Sequence, residues 1–227
     1  MAGVRIVAVA DTHTFVEELV VPDGDVLVHA GDLCRAGTLA ELAGTAAWLA
    51  ALPHRHKIVV AGNHDGCFQE DRAAACALLG AAHYLEDEAL VLDGVRFYGS
   101  PWQPAYNDWF YNLPRGEALA SMWRRIPAGV DVLITHGPPA GIGDASGMEE
   151  RGGCADLRRR VAEVAPRLHL FGHIHQDGGL WVHGPTTFAN VTTWECERAP
   201  TVIDLIDGVV TPVVVPPHGR RDDPDTW

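Results

Sequence analysis

Five short apolar runs constrain the fold of this chain most, because each one ends in side chains of the types that bind metals. The runs lie in the stretches "VRIVAVADTH", "DVLVHAGD", "KIVVAGNHDG", "VDVLITHG" and "RLHLFGHIHQ". A continuous apolar run predicts an interior strand that is covered on both faces. The polar residues that follow the runs are Asp11 and His13; Asp32; Asn63, His64 and Asp65; His136; and His173 and His175.

Taken alone, a stretch such as Asn63–Gly66 favours a tight turn, since Asn, Asp and Gly suit turns. Four of the five runs, however, carry a glycine next to the first polar group. In α/β sheets, ligands bind beyond the carboxyl ends of the strands, where the loops converge. One such ending indicates a turn, whereas five together predict a single site.

Composition excludes several classes of function. The 227 residues predict one domain with a substantial core, and the net charge of −13 argues against non-specific binding to nucleic acids or anionic membranes. The sequence shows no signal-peptide pattern and no apolar run of the roughly 20 residues that a membrane span needs. The five cysteines lack any C-x-x-C spacing and read as reduced thiols. We therefore expect a cytoplasmic protein; the sequence predicts no oligomeric state.

The remaining patterns predict an α/β fold with mixed sheets. Thr38 and Glu41 have the spacing of a capping box that starts a helix. Further helices are expected over residues 70–79, over 115–125 and from about Cys154 onwards. Asp93-Gly94 and Asp207-Gly208 each predict a β-hairpin. We expect the domain to cover residues 1–215, with a polar and flexible tail over 216–227. The glycine-rich loop 137–153 reads either as a substrate lid or as a mobile surface loop.

The ordered series D-x-H, G-D, G-N-H-D, H-G and G-H-I-H resembles the calcineurin-like metallophosphoesterases. The likeness extends through "GTLAELAGTAAWLAALPHRHKIVVAGNHD", "YGSPWQP", "NLPRGEAL" and "THGPPAG". These stretches resemble the metallophosphoesterase-domain-containing (MPPED-type) branch, whose members are metal-dependent phosphodiesterases. The resemblance implies a four-layer sandwich of two mixed β-sheets flanked by helices.

The resemblance also implies a pair of divalent transition metal ions, with manganese expected first and iron, zinc, cobalt or nickel also compatible. Such a pair, about 3.5–4 Å apart, activates a water and clamps the oxygens of a phosphoryl group. Carried over to this sequence, the pattern assigns Asp32 as the bridge between the ions. The other implied ligands are Asp11, His13 and His175 for one ion, and Asn63, His136 and His173 for its neighbour.

In the same pattern His64 faces the phosphate and protonates the leaving oxygen, while Asp65 orients its imidazole. Two divalent ions, two carboxylates and a hydroxide sum to about +1, which suits a phosphodiester monoanion. The expected partner is therefore a small phosphoester substrate, including cyclic nucleotides. Trp102 and Trp109 are expected to stack a nucleobase, with a packed aromatic patch as the alternative.

Two other functions remain open at this stage. The first is a phosphomonoesterase or protein phosphatase, since the charge count only leans towards diesters. The second is a non-catalytic scaffold of the same fold, although every implied metal position holds a side chain that can be a ligand. Purple acid phosphatases are disfavoured, because Arg35 stands where their metal-binding tyrosine would be. Gln176 and Asp177 depart from the MPPED-type pattern and affect only the expected substrate contacts.

Overall fold

The computed structural model describes residues 3–147 and 151–219. Within them the strands are β1 (Val4–Val9), β2 (Val26–His29), β3 (His56–Val59), β4 (His83–Tyr84), β5 (Glu88–Leu92), β6 (Val95–Ser100), β7 (Gln103–Pro104), β8 (Asn112–Leu113), β9 (Val132–Thr135), β10 (Leu168–Phe171), β11 (Gly179–His183), β12 (Thr186–Asn190), β13 (Thr201–Ile206) and β14 (Val209–Val214). The helices are α1 (Leu39–Ala51), α2 (Cys67–Glu70), α3 (Arg72–Leu79), α4 (Glu117–Trp123) and α5 (Ala155–Val164), and a short 3-10 turn covers His175–Asp177.

The described strands form two six-stranded mixed sheets and a small sheet of β7 and β8. The first large sheet has the order β14-β13-β1-β2-β3-β4. Strands β1 to β4 are parallel to one another, and β13 pairs in antiparallel fashion with both β1 and β14. The second has the order β11-β12-β10-β9-β6-β5, with antiparallel strands only at its edges. The prediction of mixed sheets is confirmed.

The apolar runs are buried on both faces because each sheet lies between its partner sheet and a layer of helices. Ile6 of β1 and Ile134 of β9 point into the core between the sheets. Their neighbours point the other way: Val7 packs with α1 and α3, and Leu133 packs with α4 and α5. The resulting order of helices, sheet, sheet and helices is the expected four-layer sandwich.

The predicted helix ends agree with the structure, with one correction. Thr38 and Glu41 form the capping box of α1, since each side chain accepts a hydrogen bond from the backbone N–H of the other. The helix expected over 70–79 is split, because Asp71 leaves the helical conformation and its carboxylate caps α3 at Ala74 (3.0 Å). Gly80 ends α3 as predicted.

The two predicted hairpins also form. Asp93 and Gly94 join β5 to β6 with φ angles of 50° and 82°, and Asp207 and Gly208 join β13 to β14 with 50° and 77°. Two successive positive φ angles define the tight turn that matches the twist of a hairpin.

Part of the expected flexible tail is held in place. The buried Arg198 guanidinium donates hydrogen bonds to the carbonyls of Pro216, Pro217 and Gly219. The ordered domain therefore extends to at least residue 219, and the rest of the predicted tail, 220–227, lies outside the described residues.

The loop 137–153 is fixed at both ends. Pro139 pairs with Cys154, and Ala145 pairs with Arg151. Its residues 148–150 lie outside the described part of the chain, so the lid stays a prediction. No helix among the described residues is long and apolar enough to cross a membrane.

Candidate metal centre

The strand ends bring the predicted metal ligands together. Asp11 and His13 follow β1, Asp32 follows β2, His136 follows β9, and the remaining candidates follow β3 and β10. Three sets of side chains each place their ligand atoms within 4.8 Å of one another: Asp11, His13 and His175; His13, Asp32 and His64; and Asp32, His136 and His173. Asp32 belongs to two of these sets, so its carboxylate lies between two neighbouring groups of ligands.

The first group surrounds His13. Its Nε2 lies 3.4 Å from Nε2 of His175 and 3.7 Å from Oδ2 of Asp32. Oδ1 of Asp11 lies 3.9 Å from Nε2 of His175. Asp11 is fully buried, while His175 is partly exposed. This arrangement can hold one metal ion.

The second group surrounds His136. Its Nε2 lies 3.3 Å from Oδ2 of Asp32 and 2.9 Å from Oδ1 of Asn63. The His173 ring lies 5.0 Å from the His136 ring, centre to centre. A second ion at this position would take one amide oxygen, two imidazoles and the shared carboxylate.

Backbone groups orient these side chains. Nδ1 of His13 lies 3.0 Å from the carbonyl of Cys34, and Nδ1 of His136 lies 3.0 Å from the carbonyl of Ala30. A carbonyl can only accept, so each ring donates through Nδ1–H and turns its Nε2 towards the centre. The N–H of His173 donates to both oxygens of Asp11 at 3.0 Å.

The electrostatics also suit cations. Burial lowers the pKa of His13, and burial together with the charge of His136 lowers that of His173 to about 3. Burial opposes the charge on His136, but the Asp32 carboxylate outweighs it and raises the pKa of His136 to about 9. The same contact lowers the pKa of Asp32 against its own burial. Two neutral imidazoles and a buried carboxylate are ligands ready for a metal.

Several candidate ligands have unusual backbone angles. Asp11, His13, Asp32 and His173 have φ values of 56°, 45°, 59° and 69°. Non-glycine residues rarely adopt this left-handed conformation, and such strain clusters at functional sites. The sharp turn after each strand is what directs these side chains into a common centre.

Two of the glycines before ligands are required by close packing. A Cβ on Gly62 would lie 2.2 Å from Oδ1 of Asp32, and one on Gly172 would lie 2.7 Å from Oδ2 of Asp11. A Cβ essentially never comes this close to another heavy atom, so a larger residue at either position would displace the carboxylate. These glycines therefore keep space for the ligands.

The predicted pairing of Asp65 with the His64 ring is wrong. Nδ1 of His64 is held instead by the carbonyl of Arg35, at 2.6 Å. The buried Asp65 carboxylate accepts backbone N–H groups from Gly62 (2.8 Å), Asp32 (2.8 Å) and Cys34 (2.9 Å).

Asp65 thus ties the loop after β3 to the loop after β2. Burial, and then the charge of Asp32, raise the pKa of Asp65 to about 6, although the N–H donors favour its charged form. The carboxylate points away from His64 because the chain turns through 62–65, where the N–H of Asp65 returns to the carbonyl of Gly62 (3.1 Å).

The two predicted substrate-binding tryptophans differ in position. The indole N–H of Trp102 donates to Asp87 at 2.9 Å, and its ring packs on the buried Tyr111. These contacts give Trp102 a structural role. Trp109, by contrast, lies on the His64 ring, 4.0 Å away between centres. The exposed Tyr106 ring lies 6.3 Å from that of His173.

The segment after β12 also reaches the site, which the sequence reasoning missed. The N–H of Glu195 donates to the Asp11 carbonyl at 3.0 Å, and the Trp194 ring lies 6.0 Å from that of His175. Trp194, Glu195 and Cys196 all have positive φ angles (45°, 55° and 70°). The strand before this segment, β12, reads "TTFAN" and is not an apolar run, so the pattern of apolar strand ends did not point to it.

The donor set fits divalent transition metals. It consists of imidazole nitrogens with carboxylate and amide oxygens, and this mixture suits manganese, iron, zinc, cobalt or nickel better than calcium. The candidate ligands for one ion are Asp11, His13, His175 and Asp32, and those for the other are Asp32, Asn63, His136 and His173.

A sequence model of the family "Calcineurin-like phosphoesterase" matches residues 4–177, which contain the whole set of candidate ligands. The chain belongs to this family. The human metallophosphoesterase domain-containing protein 1 is 40% identical over 230 residues, which span 88% of this chain and 71% of the human protein.

Solved structures share the fold at low identity. The structure of TT1561 from Thermus thermophilus has a TM-score of 0.67 and 16% identity, over 93% of this chain and 99% of that protein. A phosphopantetheinyl hydrolase from Mycobacterium tuberculosis has a TM-score of 0.60 and 16% identity, over 98% and 97%.

The resemblance seen in the sequence is thus confirmed at the level of the family and of the fold. The family consists of phosphoester hydrolases that typically bind divalent metals, and the ligand groups of this chain are consistent with that chemistry.

Proposed function

We propose that this calcineurin-like phosphoesterase is a two-metal phosphodiesterase that acts on small phosphodiesters, including those of the cyclic-nucleotide type. The observation that carries the proposal is the pair of ligand groups that share Asp32. When bound, two divalent ions would supply a Lewis acid for the phosphoryl oxygens and an acidified water as the nucleophile. The residues of the chain then have to place the substrate and supply a proton.

His64 is the candidate proton donor. Its Nδ1 is engaged by the Arg35 carbonyl, so Nε2 is the nitrogen that can face a leaving oxygen. Its backbone N–H donates to Oδ1 of Asp32 at 2.8 Å, which fixes the position of His64 relative to the shared carboxylate. The imidazole is half-buried, so a substrate can reach it.

Charge supports a diester over a monoester. Two divalent cations, less the charges of Asp11, Asp32 and a hydroxide, leave about +1, which balances a diester monoanion. In residues 3–147 and 151–219, the ion pairs that arginine side chains form involve none of the metal-ligand candidates. A monoester dianion would have one more negative charge than this centre offsets.

The test is a comparison of two chromogenic substrates after loading with Mn²⁺. We expect kcat/KM for bis(p-nitrophenyl) phosphate to exceed that for p-nitrophenyl phosphate, and Asp32→Ala to abolish both activities. A better monoester substrate would overturn the diesterase assignment and leave a phosphomonoesterase. If the metal-loaded protein hydrolyses neither compound nor any cyclic nucleotide, the non-catalytic scaffold is the better description.

A further inference from the structure

The His64 imidazole is held on three sides. Its Nδ1 lies 2.6 Å from the Arg35 carbonyl, and its edge meets the His13 ring at 4.7 Å with an angle of 85°. Its face meets the indole of Trp109, with ring centres 4.0 Å apart and planes at 36°. Of these contacts, only the one with Trp109 comes from outside the loops that carry the metal-ligand candidates.

Trp109 is itself anchored to the segment that carries His64. The N–H of the next residue, Phe110, donates to the Asn63 carbonyl at 3.2 Å, and that of Tyr111 donates to Oε1 of Gln69 at 2.9 Å. Tyr111 is buried. The chain on the C-terminal side of Trp109 is therefore bound both to a residue directly before His64 and to one shortly after it.

Close packing and a side-chain clamp complete the loop. The Phe110 ring lies so near to Gly66 that a Cβ there would be 2.3 Å from it. The amide of Asn112 donates to the carbonyls of Tyr106 (3.1 Å) and Asn107 (3.0 Å). The loop thus presents the indole in one fixed place.

We propose that Trp109 is a positioning residue for His64, holding the imidazole so that Nε2 faces the leaving oxygen of the substrate. The inference rests on the proposed phosphodiesterase function. A histidine ring with one hydrogen bond can still rotate away from its bond partner, and the indole face blocks that rotation. Because one face of the indole is covered by His64, Trp109 acts through His64, in contrast to the base-stacking role expected from the sequence.

The kinetic test uses two diesters that differ in how much their leaving group needs a proton. Nitrophenolate leaves readily as an anion, whereas phenolate has a conjugate acid with a pKa of about 10, like that of tyrosine. A positioned acid accelerates the reaction by about 10²–10⁴-fold. We expect Trp109→Ala to forfeit part of this acceleration and to lower kcat for diphenyl phosphate by about 10-fold. KM should change less than about twofold, bis(p-nitrophenyl) phosphate should be nearly unaffected, and Trp109→Phe should restore most of the rate.

A double-mutant cycle separates the two roles. If Trp109 acts through His64, then Trp109→Ala should cost nothing further in a His64→Ala background. An equal loss in both backgrounds, or a raised KM with both diesters, would overturn the proposal and make Trp109 a substrate-binding surface.

A second readout does not depend on activity. In the metal-free protein, the indole ring current should displace the ¹H resonances of the His64 ring, which are identified by their disappearance in His64→Ala. They should move in Trp109→Ala and stay in place in Trp48→Ala, which removes a partly buried tryptophan from the core under α1. His64 resonances that do not respond to Trp109→Ala would overturn the contact. A wild-type protein that hydrolyses no phosphoester would instead refute the proposed function, while the resonances would still decide the contact.

Discussion

The Asp65 carboxylate lies fully buried between two loops that carry metal-ligand candidates. Through the N–H groups of Gly62, Asp32 and Cys34 it fixes the start of the loop after β3 against the loop after β2. Its role is therefore to keep Asn63 and Asp32 at the right separation. The ring of His64, one position earlier, instead meets the Arg35 carbonyl.

We expect Asp65→Ala to destabilise the protein and to weaken metal binding. The change leaves three buried N–H donors without an acceptor, and each such loss costs about 1–3 kcal/mol. Urea unfolding of the metal-free protein should show a loss on the order of 3 kcal/mol or more. Asp71→Ala, which removes only the cap of α3, should cost about 1 kcal/mol and leave metal binding intact.

The opposite result would restore the role first expected for Asp65. If Asp65→Ala keeps its stability and its metal but loses activity like His64→Ala, then the carboxylate acts on the imidazole after all. Measuring the metal content and the unfolding curve of both variants separates the two roles.

At the scale of single residues, the sequence predicted which side chains gather at the site, but it did not predict all of their hydrogen-bond partners. Residue type and position after a strand were enough to find nine polar residues at the strand ends, because the period and end of a buried strand fix where they lie. The family resemblance then implied that seven of them are metal ligands. Neighbours such as His64 and Asp65 point in different directions, and the direction depends on the turn between them. Residue types alone do not determine that turn.

At the scale of elements, the ends of the strands matter more than their interiors. A strand followed by glycine lets the next loop approach closely, and Gly62 lies against both Asp32 and the His136 ring. The glycine in α1 is different: a Cβ on Gly44 would meet no atom within 4 Å. The two positions therefore form a matched pair for the same substitution.

Gly62→Ala should weaken Mn²⁺ binding about 10–100-fold, as is usual when a group that orients a metal ligand is disturbed. The new methyl would lie 2.2 Å from Oδ1 of Asp32 and force that carboxylate to move. Gly44→Ala should instead leave metal binding unchanged and stabilise α1 by about 0.5–1 kcal/mol. Titration calorimetry with Mn²⁺ and urea unfolding measure the two effects. Unchanged affinity in Gly62→Ala would mean that Asp32 is not held against this loop.

Most elements could be predicted from local signals, namely apolar runs, caps and Asp-Gly turns. The segment at Trp194 could not, because it reaches the site through long-range pairing. The N–H of Thr193 donates to the Ala10 carbonyl at 2.8 Å, which joins chain positions more than 180 residues apart. The break between α2 and α3 was not predicted, because the spacing of apolar residues does not show that Asp71 leaves the helical conformation.

At the scale of the whole molecule, the first sheet brings the carboxylates of Asp11 and Asp32 to the site, and the second sheet brings the imidazoles of His136, His173 and His175. The chain carries a net charge of −13. Asp11 and Asp32 are buried at the site, and negative charges buried close together repel each other unless cations lie between them. The folded protein should therefore gain stability from metal ions, because the separated loops of the unfolded chain cannot form the site.

We expect saturating Mn²⁺ to raise the melting temperature and a chelator to reverse the rise. A ligand present at about 100 times its Kd stabilises the folded state by about 2.7 kcal/mol. For a chain of this size each kcal/mol corresponds to about 2–4 °C, so the shift should be roughly 5–10 °C. Asp32→Ala should abolish it, because that variant lacks the carboxylate shared by both ligand groups. Asp204→Ala removes a carboxylate that pairs with Arg5 at the surface and should keep the full shift.

A melting temperature that does not respond to Mn²⁺ or to the other candidate metals would show that the cluster is not a metal site. A shift that survives in Asp32→Ala would mean that the two ligand groups bind their ions without a shared bridge.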